Sequence, residues 1–141
     1  MNLINTLETE FKEKIEGLIV DVGFETDRKW IVTSGRRTMA QQRKIYAQGR
    51  TTPGSIVSNA PAGSSAHNFG LAADLAPLKE VGTEIDWNAD RSLWNTMARI
   101  AVDHGLVAGA NFRTICDLPH VEDKNWRVQR DKWKNGEITI V

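Results

Sequence analysis

Apolar residues recur at helical spacing at the start of the chain: Ile4, Leu7, Phe11, Ile15, Leu18 and Val22, with Glu and Lys between them. That period predicts an amphipathic helix over 3–22, stopped at Gly23. Trp30-Ile31-Val32-Thr33 is short and rich in β-branched residues, which predicts a strand ending at Ser34-Gly35. Thr38, with Gln41 three residues on, has the form of a capping box and predicts a second helix closing near Gly49. From Arg50 to Ser65 the periodicity is lost and Gly, Pro, Ser, Thr and Asn dominate, the pattern of a long loop that is either functional or disordered. Leu71 to Leu75 reads as a buried strand. A third helix is predicted over 89–104, with Leu93, Trp94, Met97, Ile100 and Ala101 inward and Gly105 as its stop. Short extended pieces follow over 106–122, then a basic helix over 125–135 and a last strand over 138–141. Helices clustered against a few mostly antiparallel strands predict an α+β fold.

The 141 residues suit one domain, and with no repeat or linker visible the expected unit is 1–141 without a second domain. Eighteen basic residues balance eighteen acidic ones, so no nucleic-acid partner is expected. The single cysteine, Cys116, excludes an intrachain disulfide and a Cys-rich metal cluster, and is expected to be a small buried residue rather than a nucleophile. Met1 to Thr6 lacks a basic region followed by an apolar stretch, so no secretory signal is expected. No apolar run approaches the ~20 residues of a membrane span, so no stable membrane insertion is expected either. In the tail, Lys124, Arg127, Arg130, Lys132 and Lys134 stand against Asp131, with Trp126 and Trp133 among them. This describes a solvated helix packing its tryptophans on the body, or a basic patch drawn to anionic polymers.

Histidine is scarce: His67, His104 and His120 are all of it. His104 falls in the last turn of the third predicted helix, where a partial positive charge suits the dipole, and is read as structural. His67 and Asp74 are seven residues apart. On a continuous helix that is two turns, about 10 Å along the axis and too far for one ion. On a flat strand the two would face opposite ways. They can share a metal only if the chain turns between them, and Gly70 permits such a turn. With His120 arriving from a separate segment, the three would leave a fourth position open, the pattern of a catalytic rather than a structural zinc. By spacing alone, a His near an Asp is more often a surface or capping pair than a ligand set.

The motif Ser65-x-His67-x-x-Gly70-x-Ala72-x-Asp74, with Asp117-x-x-His120 further on, resembles the zinc peptidases of peptidoglycan: the D-alanyl-D-alanine carboxypeptidases and the L-alanyl-D-glutamate endopeptidases of bacteriophage lysins. Ser34-Gly35-Arg36-Arg37-Thr38 with Gln42, Ile45, Tyr46 and Gly49 is similar to that family's arginine segment, so the resemblance runs from about 34 to 122. It implies the α+β fold of the D-Ala-D-Ala peptidases and hedgehog-type domains, and one zinc ion on His67, Asp74 and His120. It further implies Asp117 as catalytic base, Arg37 as the cation facing the developing oxyanion, and Gln42 and Ser65 beside the bound peptide. Without the resemblance, Arg37 could be a surface ion-pair residue and Asp117 a partner that orients His120. Three positions depart from the pattern: Asp117 stands where many relatives have Glu, Pro119 where many have Trp, and Arg36 where an aromatic is common.

Asp117, Asn68-Phe69-Gly70 and the loop 49–54 are more similar to the phage endopeptidases than to the carboxypeptidases. The expected function is therefore zinc-dependent hydrolysis of the L-Ala–D-Glu bond of the peptidoglycan stem peptide by a monomeric endolysin. Such an enzyme would be made in the host cytoplasm and would reach the wall through a membrane-permeabilising partner. The alternatives are D-alanyl-D-alanine carboxypeptidase activity and, from another class, a non-catalytic wall-binding or signalling module that keeps the metal as scaffold.

Overall fold

The predicted capping box forms: the Thr38 hydroxyl accepts from the Gln41 amide at 3.1 Å, and the Gln41 side chain accepts from the Thr38 amide at 2.8 Å. Together they satisfy two of the orphan donors of a helix start. The structure, a computed structural model describing residues 2–141, has helices α1 (Thr9–Thr26), α2 (Met39–Ala47), α3 (Arg91–Asp103) and α4 (Trp126–Lys134). Its strands are β1 (Trp30–Ser34), β2 (Ala72–Pro77), β3 (Leu106–Ala108) and β4 (His120–Asp123). Thr38→Ala should destabilise the protein by about 0.5–2 kcal/mol through loss of the cap, read as a lowered midpoint of denaturant unfolding.

The strands form one antiparallel sheet in the order β1-β2-β4-β3. Phe11, Ile15, Leu18 and Val22 of α1 join Trp94, Met97, Ile100 and Ala101 of α3 in the core, with Ala73, Leu75 and Val121 from the sheet. Trp30 of β1 meets Trp94 of α3 edge to face, ring centroids 5.7 Å apart. His104 closes α3, and its Nε2 lies 2.7 Å from the Asp21 carboxylate on α1. That contact ties the two helices together, as a structural reading of this histidine expects.

Three local expectations are corrected. The first helix begins at Thr9, because the Glu8 carboxylate caps it by accepting from the Glu10 and Phe11 amides, and Leu3–Thr6 forms a separate 3-10 turn. It runs through Gly23 to Asp27, which takes the left-handed conformation (φ 53°) and ends it; a helix-interior glycine costs only about 1 kcal/mol and packing overrides it. Residues 138–141 are not a strand. Ile138 and Ile140 are half-buried, but the segment pairs with no strand among the described residues, and the Val141 carbonyl accepts from the Met39 amide at the start of α2. Cys116 is exposed rather than buried, because the loop between β3 and β4 runs over the surface; its Sγ lies 2.9 Å from the Ala110 carbonyl and 3.8 Å from the Arg91 guanidinium.

Candidate functional site

Alternation along the strands places the site. Antiparallel register sets Asp74 of β2 directly opposite His120 of β4, and Ser34 of β1 opposite Asp74, across a register shift between Val32 and Ser34. Ser34, Asp74 and His120 therefore form a row across three strands. Val121, one residue along from His120, goes to the other face and into the core, as the period of two requires.

His67 reaches this row from a short 3-10 helix, Ala66–Phe69, capped by the Ser65 hydroxyl, which accepts from the His67 amide at 3.2 Å. Gly70 ends that helix with φ 70° and ψ 22°, and this is the turn that lets His67 and Asp74 converge. Asn68, buried beneath, donates to the Arg37 carbonyl at 3.1 Å and accepts from the Gly63 amide at 3.0 Å. It fastens the 37–38 segment and the long loop to the helix that carries His67.

The donor geometry suits one metal ion. His67 Nε2 lies 3.4 Å from Asp74 Oδ1, and His120 Nδ1 lies 3.3 Å from the same oxygen. All three ligand atoms are within 4.8 Å of one another. Two ligands on a tetrahedral zinc with bonds of ~2.0–2.1 Å are separated by roughly 3.3 Å, so the residues fit this ion. The far nitrogens are held as well. His67 Nδ1 donates to the Gly35 carbonyl at 2.8 Å, which leaves its Nε2 lone pair free, and His120 Nε2 is 2.7 Å from Glu122 Oε1.

Charge within the cluster is strongly coupled. Burial alone would raise the Asp74 pKa, but hydrogen bonds from His120 and His67 outweigh it and hold the carboxyl well below its ordinary value. Burial likewise disfavours the His120 imidazolium, yet its hydrogen bonds to Asp74 and Glu122 prevail and push its pKa up to about 9. In the metal-free protein His120 is thus protonated at neutral pH, and a cation must displace that proton. The sign follows: below about pH 9 the apparent zinc affinity should fall as pH falls, by about tenfold per unit for one displaced proton, and should level off above it. Competition titrations against a chelator at several pH values check this slope.

Arg37 and Asp117 flank the cluster. The Arg37 guanidinium donates to Gln42 Oε1 at 3.1 Å and to Ser34 Oγ at 3.4 Å, and lies 3.7 Å from Asp74 Oδ2. Burial lowers its pKa and the charges of Asp74 and Asp117 oppose that, but a guanidinium stays cationic at neutral pH. Asp117 lies at the surface. Protein crowding one side of its carboxyl, with the negative charge of Asp74, pushes its pKa upward against His120, His67 and Arg37.

Gln42 is fully buried, its amide donating to Ser58 Oγ and the Ala60 carbonyl while its oxygen accepts from Arg37. The structure places it behind Arg37 as a support, and Ser65 serves as the cap of the His67 helix. Two residues escape a reading of the sequence. Glu122 shares a face with His120 through the i, i+2 spacing of a strand, a signal present in His120-Val121-Glu122. Gly109 lies against both Asp117 and His120, and no sequence pattern marks it.

Residues 58–123, which hold Ser65, His67, Asp74, Asp117 and His120, match a protein-family model. That family is the D-alanyl-D-alanine carboxypeptidases. Arg37 and Gln42 lie outside the matched residues of the family model. Over 98 residues, 65% of the chain, the sequence is 38% identical to the peptidoglycan L-alanyl-D-glutamate endopeptidase CwlK of Bacillus subtilis, and it spans 59% of that protein's length. The fold is similar to the Serratia marcescens L-Ala D-Glu endopeptidase ChiX (TM-score 0.58, 17% identity, 91% of this chain and 87% of that one). It is also similar to the vancomycin-resistance D,D-pentapeptidase VanY in complex with Zn(II) (TM-score 0.60, 16% identity, 92% and 79%). The predicted α+β architecture of the D-Ala-D-Ala peptidases is the one observed.

Proposed function

We propose that this chain is a zinc peptidase that hydrolyses the L-Ala–D-Glu bond of the peptidoglycan stem peptide. One observation carries the reading: His67 Nε2, Asp74 Oδ1 and His120 Nδ1 converge at the spacing of a single ion, with the cation of Arg37 and the carboxyl of Asp117 beside them. Zinc held by those three residues would supply Lewis acidity and make a water nucleophile available near neutral pH. Asp117, exposed beside the cluster, would take a proton from the attacking water and return it to the departing amine. Arg37, held from behind by Gln42 and Ser34, would present fixed positive charge to the oxyanion that develops on the scissile carbonyl. Ser65 would act beside the peptide through the turn it caps.

The 38% identity to an L-alanyl-D-glutamate endopeptidase favours this bond. D-alanyl-D-alanine carboxypeptidase activity is the second reading, favoured by the family model itself. A role in phage-driven host lysis, reached with a membrane-permeabilising partner by a monomeric enzyme, rests on the resemblance of Asp117 and Asn68-Phe69-Gly70 to that group. It is compatible with the absence, among the described residues, of a helix long and apolar enough to cross a membrane. Mass spectrometry of digested wall fragments tests the bond. The endopeptidase frees the amino group of D-Glu; release of D-Ala in its place would move the chain to the second reading. Turbidity loss of outer-membrane-stripped cells separates both from a non-catalytic module, which would bind zinc and lyse nothing.

A further inference from the structure

We infer that Glu122 is a positioning residue that holds the proton of His120 on Nε2, so that Nδ1 offers its lone pair to the metal. The inference rests on the reading of His67, Asp74 and His120 as zinc ligands. His120 and Glu122 are two residues apart on β4 and so project to one face of the sheet. The cross-strand neighbour of Glu122 on β2 is Ala72, whose methyl group cannot compete for the carboxylate. Both side chains are nearly buried, 10% and 11% exposed, and Glu122 Oε1 lies 2.7 Å from His120 Nε2. Burying a carboxylate is costly unless it is paired, and His120 is its hydrogen-bonding partner here.

A carboxylate oxygen offers only lone pairs, so the nitrogen facing it must donate. A neutral imidazole has one proton, and with that proton on Nε2 the lone pair is left on Nδ1. Nδ1 is the nitrogen 3.3 Å from Asp74 Oδ1, the oxygen that His67 Nε2 also faces. The opposite tautomer would set two lone pairs 2.7 Å apart at Glu122 and aim a proton into the place of the metal. For His67 the matching task falls to the Gly35 carbonyl, which takes the proton of Nδ1. The two histidines thus face the ion through different nitrogens, each selected by the acceptor behind it. The Gly35 acceptor is backbone, whereas the acceptor behind His120 is removable by a single substitution.

Nitrogen-15 correlation spectra of the zinc-loaded protein, together with zinc competition titrations of wild type, Glu122→Gln and Glu122→Leu, test this. The wild type should show His120 protonated at Nε2. Glu122→Leu should bind zinc about 10–100-fold more weakly, while Glu122→Gln, whose amide oxygen still accepts, should lose less. A His120 proton on Nδ1 in the zinc-loaded wild type would overturn the inference, as would Glu122→Leu binding zinc as tightly as wild type. Should Glu122→Leu fail to fold, the wild-type spectrum and the isosteric Glu122→Gln decide. Absence of zinc binding by the wild type would instead overturn the metal reading beneath it.

Discussion

Asp117→Asn should lower kcat by about a hundred- to ten-thousand-fold while leaving zinc affinity within a few-fold of wild type. Asparagine keeps the shape of the side chain but cannot accept and return a proton. Asp117 also touches the metal cluster through its backbone: its amide donates to the Gly109 carbonyl at 3.0 Å, and its carbonyl accepts from the His120 amide at 3.2 Å. Neither contact involves the carboxyl, so the substitution leaves His120 where it is. The split between turnover and metal is the informative readout. Loss of zinc together with turnover would make Asp117 a support for His120 rather than the base, which is the alternative that the residue pattern alone allows. Steady-state kinetics on a soluble muropeptide and a parallel chelator competition give both numbers.

Gly109→Ala should abolish most activity and destabilise the fold by about 1–3 kcal/mol or more, the range for overpacking a close-fitted position. Gly109 does not need a left-handed backbone, since its φ is not positive; the obstacle is space. A Cβ there would come within 2.8 Å of His120 Cβ and 3.1 Å of Asp117 Cβ, and closer still to the Asp117 carbonyl oxygen. Those neighbours are backbone and the first atoms of side chains, so they cannot swing aside as a flexible tip would. The added methyl must shift a proposed ligand and the proposed base at once. Thermal unfolding and kinetics on the same preparation check this. Normal turnover in Gly109→Ala would show that the close approach is not needed for the site.

The strands were read from short β-branched or apolar runs, and the helices from periodicity, because burial of one face imposes a repeat on the sequence. The capping box at Thr38 and the turn at Gly70 were legible for the same reason: each needs a particular residue at a particular offset. The ligand set was harder. Spacing showed that His67 and Asp74 could meet, the scarcity of histidine put His120 forward as a third ligand, and resemblance to a peptidase family supplied Asp117 and Arg37. Contacts made across the chain left no such mark. Gly109 matters because Asp117 and His120 fold back on it, and Gln42 matters because the 58–60 loop closes over it. The apolar run at 138–141 misled, because its two half-buried isoleucines pair with no strand among the described residues. Cys116 shows that residue type is a weak guide to burial in a surface loop.

In the proposed function, three side chains, His67, Asp74 and His120, hold one zinc ion that makes this chain a peptidase. Chelator-stripped protein titrated with zinc, while hydrolysis of a purified muropeptide is followed, tests it most directly. No turnover is expected without metal, then a linear rise to one equivalent of zinc per chain and a plateau beyond. Full turnover in the stripped protein, or none with one zinc bound, would contradict it.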